Sequence, residues 1–191
     1  MIAPWRSGFK RVFDGLLAAA GLVFFSLPMA WIAWRVRREL NTPVFFRQPR
    51  VGRAGKPFIL SKFKTLSDGK PVTPFGHWLR ATAMDELPQL INIVRGEMSF
   101  VGPRPLIPDD LRGLAQIPGG SQRQSVRPGL TGLAQLYADK TPSLPERLQW
   151  DLAYARECSF LLDLKILLAS VIISLRGAWE KTRAPTTRGK S

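Results

Sequence analysis

The chain has 191 residues and carries 28 Lys and Arg against 14 Asp and Glu, a formal net charge of +14. That length suits one domain able to bury its own core, and the cationic surplus asks for an anionic partner: nucleic acid, anionic lipid or a phosphorylated substrate. A single cysteine, Cys158, excludes an internal disulfide, and with His77 as the one histidine a structural zinc site lacks ligands.

The first predicted element is apolar. Leu16 to Trp34 reads LLAAAGLVFFSLPMAWIAW without a charged residue, close to the ~20 residues of a spanning helix. Arg6, Lys10 and Arg11 precede it, and Arg35, Arg37 and Arg38 follow at once. A cleaved signal peptide shares the basic start, but no small-residue cleavage site closes this run, and the lone cysteine gives export no support. A simple span would put the two basic flanks on opposite faces, against their preference for the cytoplasmic side. A re-entrant wedge removes that conflict. Ser26 and Pro28 lie mid-run, where Pro28 removes a helix hydrogen bond and Ser26 offers a hydroxyl to a freed carbonyl. The expected bend is therefore at Ser26 or Pro28, with Asp14 at the interface beside Lys10 or Arg11.

Further along, Pro43–Phe46 predicts a short strand, Gln48–Pro57 a Gly-containing turn and Phe58–Lys62 a second strand, together a small β-hairpin. Residues 67–74 read as a loop, Phe75–Arg80 as a short helix, and Asp85–Arg95 as a longer helix closed by Gly96. Three prolines make Val101–Pro108 an extended or turning loop. A short helix over Leu111–Gln116, a Pro/Gly turn over Arg127–Gly132 and a helix over Pro145–Arg156 follow. Phe160–Arg176 is strongly apolar but interrupted by Asp163 and Lys165, which suits a core or interfacial helix better than a span. The tail over 182–191 is basic and polar, and reads as disordered. The expected class is α+β, mostly helical, with a re-entrant membrane helix, interfacial amphipathic helices and the hairpin.

Asp85-Glu86-Leu87-Pro88-Gln89-Leu90 opens the helix after Arg80. Acidic residues in a first turn complement the helix dipole, and for an isolated pair that suffices. In a chain rich in cations the pair also suits chemistry. Adjacent helical residues point ~100° apart, so one carboxylate can attack while the other holds a divalent cation. Attack at phosphorus gives an acyl phosphate, provided Mg²⁺ and arginines neutralise the charge between the two anions. Four basic turns lie in the same chain: Gln48-x-Arg50-x-Gly52, Lys62-Phe63-Lys64-Thr65, Gly102-Pro103-Arg104-Pro105 and Arg127-Pro128-Gly129-x-Thr131-Gly132. Singly, each reads as a solvated turn; together, exposed amides and guanidinium forks suit a diphosphate.

These turns, with Lys10-Arg11-x-Phe13-Asp14, Pro43-Val44-Phe45-Phe46, Arg80, Asp85-Glu86-Leu87-Pro88-Gln89, Gly96-x-Met98-Ser99-x-Val101 and Asp151-x-x-Tyr154, resemble the bacterial sugar transferases. Those are phosphoglycosyl transferases that begin glycan assembly on polyprenyl phosphate. The resemblance runs from Lys10 to about Leu175 and points to the small monotopic members. It implies transfer of a sugar 1-phosphate from a UDP-sugar to polyprenyl (undecaprenyl) phosphate, giving polyprenyl-diphosphate sugar and UMP. It also implies Mg²⁺, a covalent phosphosugar on Asp85, and Glu86 with Asp85 as metal ligands. Arg80 matches a position for the lipid phosphate and Arg127 one for the nucleotide diphosphate; Lys62, Lys64, Arg104 and Gln89 complete the substrate-binding set. The implied division is a re-entrant helix with flanks over 1–40, a catalytic domain over 41–181 and the tail, on the cytoplasmic face of the bacterial inner membrane.

Anionic membrane lipids are further expected partners, and a homodimer stays open. Leu66 stands where Met is usual, Leu133 where Trp is frequent, and Leu27 separates Ser26 from Pro28 where relatives carry Ser-Pro directly. A non-catalytic basic adaptor for anionic lipid is the alternative reading. Nucleic acid is not an expected partner, because the aromatic residues sit in apolar runs and do not interleave with cations as stacking platforms.

Overall fold

A computed structural model describes residues 8–41, 43–66, 72–138 and 143–179. Arg6, the tail over 182–191 and most of the expected loop over 67–74 lie outside the described residues.

Helices α1 (Lys10–Phe24) and α2 (Ser26–Leu40) take up the apolar run and meet at a bend of 63°. Among the described residues no single helix is long and apolar enough to cross a membrane, whereas this bent pair meets the length and composition of a broken span or re-entrant loop. The break sits at Phe25, one residue ahead of Ser26. Pro28 has no amide to donate to the Phe24 carbonyl, and the Ser26 hydroxyl donates to the Val23 carbonyl at 2.7 Å. The amides of Phe25 and Met29 still reach the carbonyls of Gly21 and Phe25, each at 2.8 Å. Residues at the bend point outward: Val23, Phe24 and Leu27 are all exposed. The two roots do not, since Ala18, Ile32 and Val36 are buried against the body.

Asp14 pairs with Lys10, one of its two expected partners. It is buried, with Lys10 Nζ at 3.6 Å, and the same ammonium bonds Asp163 at 2.5 Å. Two buried carboxylates thus share one cation, because each needs a charged partner once water is removed.

Strands β1 (Phe45–Val51) and β2 (Pro57–Phe63) pair antiparallel, from Phe45 opposite Phe63 to Val51 opposite Pro57. The hairpin is longer than expected. Gln48, Pro49 and Arg50 belong to β1, where a two-stranded sheet tolerates proline on its open edge. The turn is confined to Gly52–Lys56, with Ala54 and Gly55 in the left-handed region at φ 55° and 76°.

Helix α3 (Pro74–Ala81) begins with the Gly76 amide donating to the Thr73 hydroxyl at 3.0 Å. The single helix expected from Asp85 is instead a 3₁₀ turn over Met84–Gln89 followed by α4 (Leu90–Arg95). Pro88 lacks the amide that an α-helix through this stretch would use, and Ala83 enters the turn at φ 59°. Gly96, at φ 80°, closes α4 as expected.

Two short parallel strands, β3 (Ser99–Val101) and β4 (Gly129–Thr131), lie just ahead of the expected Val101–Pro108 loop and within the expected Arg127–Gly132 turn. Three-residue strands carry no readable periodicity. Their contact depends on Gly102, Gly129 and Gly132, whose backbones pack so closely that a Cβ on any of them would overlap its neighbour.

The remaining elements are α5 (Pro108–Ala115), a 3₁₀ turn over Gly120–Ser125, α6 (Leu133–Tyr137), α7 (Leu144–Glu157) and α8 (Phe160–Leu175). The 3₁₀ turn and α6 carry no signal in the sequence. Helix α8 turns Asp163, Ile166 and Ser170 inward and exposes Leu161, Leu164, Leu168 and Leu175. Asp163 therefore interrupts the apolar composition but not the exposed face, whereas Lys165 is exposed among these residues. Mostly helical with a small antiparallel sheet, the chain is α+β.

Candidate active site

One face of the hairpin carries Gln48 and Arg50 on β1, and Leu60 and Lys62 on β2, by the alternation of strand side chains. The 3₁₀ turn adds Glu86 and Gln89. At three residues per turn, side chains three apart eclipse, so these two share a side that Asp85 does not. Arg104 comes from the loop after β3 and Gln135 from α6. Arg50, Leu60, Lys62, Glu86, Gln89, Arg104 and Gln135 border one cleft.

Of the substrate-binding set, Lys62, Gln89 and Arg104 line this cleft together with Glu86. Asp85 does not line it. Its side chain is fully buried, with both carboxylate oxygens enclosed. Arg80 sits half-buried in the last turn of α3, immediately before the bend that carries Ala83 and the acidic pair. Lys64 faces a separate crevice with Glu39, Thr65 and Phe75, and Arg127 lies outside both. The Arg127 Nε donates to the Gly96 carbonyl at 3.0 Å. Beside it, Arg11 donates to the Val94 carbonyl at 2.6 Å and to the Ile93 carbonyl at 3.3 Å. Both guanidiniums thus cap the C-terminal carbonyls of α4. Burial lowers the Arg127 pKa, and the Arg53 and Arg11 cations lower it further.

Arg50 belonged to a recognised turn but to no expected role, and it lies in the cleft wall. Its Nη1 donates to the Pro105 carbonyl at 2.8 Å and its Nη2 to Gln48 Oε1 at 2.5 Å. Its Nε is buried without a hydrogen-bond partner among the described residues. Burial and the Arg104 cation bring its pKa down to about 10, against the pull of Asp110 and Glu86. It stays charged at neutral pH, one of three cations around Glu86.

Two further residues escaped the sequence. Gln135 borders the cleft with a buried carbonyl oxygen that accepts no hydrogen bond among the described residues. Arg123 is buried, with Nε donating to Asp151 Oδ2 at 2.6 Å and Nη2 to the Arg104 carbonyl. Its polar neighbourhood, Gly-Ser-Gln-Arg-Gln-Ser, reads as a solvated run and gives no hint of burial.

This assembly, an acidic pair on a tight turn faced by cations from three other segments, is matched by what the whole chain is similar to. Residues 5–177 match the family described as bacterial sugar transferase. The chain belongs to that family. It is 38% identical over 173 residues to the uncharacterized sugar transferase EpsL of Bacillus subtilis, covering 85% of each chain. It is 38% identical over 182 residues to a UDP-glucose:undecaprenyl-phosphate glucose-1-phosphate transferase of Caulobacter vibrioides, covering 85% of this chain and 68% of that one. The protein of that name from Klebsiella pneumoniae is 37% identical over 182 residues, and there this sugar transferase chain spans 39% of the relative's length.

Proposed function

We propose that the protein transfers a sugar 1-phosphate from a UDP-sugar to undecaprenyl phosphate or a similar polyprenyl phosphate, releasing UMP. The observation that carries this reading is the meeting of Glu86 with Arg50, Lys62 and Arg104 in one cleft, with Asp85 the preceding residue on the turn that carries Glu86. Relatives named for the same transfer support it. An Asp85 oxygen attacks the β-phosphorus, and the bond from that phosphorus to the bridging oxygen breaks, so UMP leaves with the bridging oxygen. A lipid phosphate oxygen then attacks the same phosphorus and the Asp85 carboxylate is released. Because Asp85 is fully buried, substrate entry must open its cover first. Arg50, Lys62 and Arg104 hold the diphosphate and offset its charge against the attacking carboxylate.

A Mg²⁺ ion fits the donors present. Among the described residues no cluster of three or more acidic, His or Cys side chains exists, and Mg²⁺ is commonly held by one or two carboxylates plus substrate phosphates. Glu86, lining the cleft, would supply the protein's share, and Asp85 would join it only once substrate entry uncovers its carboxylate. When bound, the ion neutralises charge between nucleophile and diphosphate.

The bent pair supports a place for the site at a membrane. We read α1 and α2 as a re-entrant wedge, with Val23, Phe24 and Leu27 at its apex and the half-exposed Trp31 and Trp34 at the depth that indoles favour. Basic flanks on both roots support the cytoplasmic face for them, and the exposed stripe of α8 would lie against lipid.

The test is UMP release by the membrane-embedded protein from a panel of UDP-sugars with undecaprenyl phosphate. At least one sugar should support turnover, and Asp85→Asn should abolish it while membrane association persists. Near-normal turnover by Asp85→Asn would remove Asp85 as nucleophile. Absence of turnover by the unaltered protein would leave the lipid adaptor as the better reading.

A further inference from the structure

We propose that the buried Arg123–Asp151 pair is a positioning device that sets Arg104 in the cleft and acts on turnover through Arg104. The inference rests on the reading that Arg104 binds substrate phosphate.

The loop Pro103-Arg104-Pro105 cannot hold itself. Neither proline has an amide to donate, so its conformation depends on what its carbonyls accept. Three successive carbonyls are each bonded from a different segment. The Gly129 amide donates to Pro103 at 2.9 Å, Arg123 Nη2 to Arg104, and Arg50 Nη1 to Pro105 at 2.8 Å. Two of these donors come from structure that must itself be fixed: β4 is held against β3, and Arg123 is held by Asp151 in the middle of α7.

Stability alone gives no reason for this pair. Both residues are buried, at 5% and 3% exposure, and a buried ion pair is commonly no better than apolar side chains of the same volume. Burial raises the Asp151 pKa in spite of the adjacent guanidinium. What the pair supplies is geometry. Asp151 takes Nε and orients the planar fork, so that Nη2 meets the Arg104 carbonyl; an ammonium cannot make both bonds in one fixed arrangement.

The experiment is a double-mutant cycle on the full-length membrane-embedded protein, with Arg123→Lys, Arg104→Ala and their combination. The readouts are kcat and KM for the UDP-sugar, UDP affinity by calorimetry, and the melting temperature. Arg123→Lys keeps a cation beside Asp151 and should melt near the wild-type temperature, with KM and UDP dissociation constant raised about tenfold. On the Arg104→Ala background the same change should have no further effect, since contacts that act as a unit are not additive. Equal factors on both backgrounds would overturn the proposal, as would Arg123→Lys with wild-type KM. If Arg123→Lys does not fold, the paired change Arg123→Leu with Asp151→Leu, which removes both buried charges, carries the same expectations. A wild-type protein that neither turns over nor binds UDP would sink the transferase reading and the clamp's purpose with it; an active wild type with an additive cycle sinks the clamp alone.

Discussion

Asp85 and Glu86 are neighbours on one 3₁₀ turn, yet Glu86 borders the cleft with Arg50 and Arg104 while Asp85 is wholly enclosed. Their separate surroundings suit the two proposed roles. Glu86→Gln should leave the fold and the proposed nucleophile Asp85 in place but raise the Mg²⁺ concentration needed for half-maximal rate. The rate at saturating substrate should fall roughly a hundredfold or more. Initial rates across a Mg²⁺ titration decide this, and an unchanged titration curve would move the metal away from Glu86.

Arg50 spans the cleft wall by bonding Pro105 and Gln48 at once. Arg50→Lys keeps the charge and loses the fork. The expected cost is about 1–3 kcal/mol in kcat/KM for the UDP-sugar, with little change in membrane association. Wild-type kinetics in Arg50→Lys would reduce its role to a point charge.

The apex of the bent pair gives a test of its membrane role. Leu27 is 81% exposed, and Leu27→Asp would set a carboxylate where the proposed wedge would lie deepest, at a cost of about 2–3 kcal/mol. The variant should shift from the membrane to the soluble fraction in flotation with liposomes. Cysteines placed at the N-terminus and in the 182–191 tail should react with an impermeant reagent only from the cytoplasmic side. Periplasmic reaction of the N-terminal label would replace the wedge with a span.

Tyr154 ties α7 to the core, its hydroxyl 2.9 Å from the Val101 carbonyl and 2.8 Å from Asp163 Oδ1. Burial, then the Asp163 charge, raises its pKa far above the usual phenol value of 10.0. The folded state therefore keeps a proton that the unfolded chain releases above pH 10, so stability falls as pH rises past that value. Tyr154→Phe should cost about 1–3 kcal/mol at neutral pH and flatten the loss of stability between pH 10 and 11. Denaturant melts at several pH values read both effects, and an equally steep alkaline loss in the variant would assign the dependence to other groups.

Much of this could be read from residue order. The broken apolar run is visible because Ser26 and Pro28 interrupt a charge-free stretch between basic flanks. The acidic pair and the four basic turns are visible as residue types at short spacing. Where a single helix was expected from Asp85, the chain makes a tighter turn through Pro88, whose period of three, unlike an α-helical one, aligns Glu86 with Gln89. The β3–β4 pair was hidden because three residues show no alternation and their meeting depends on glycines far apart in the chain.

Side-chain burial was the least legible property. Arg123 looks like a surface charge in sequence, and only the fold shows that it, Asp14 and Asp163 are each enclosed with an opposite charge. Arg127 and Lys64 look like parts of one basic site with Lys62 and Arg104, yet they face other surroundings.

The sequence by itself determined the chemistry on offer: an anchor with a break, a carboxylate pair, and cations on rigid turns, all of them local patterns set by composition and near-neighbour spacing. The tertiary structure decided which of those cations meet Glu86, which carboxylate is enclosed, and what holds Arg104 in place. Those outcomes depend on contacts between segments tens of residues apart, where packing and the cost of burying charge choose among partners that local order leaves equal.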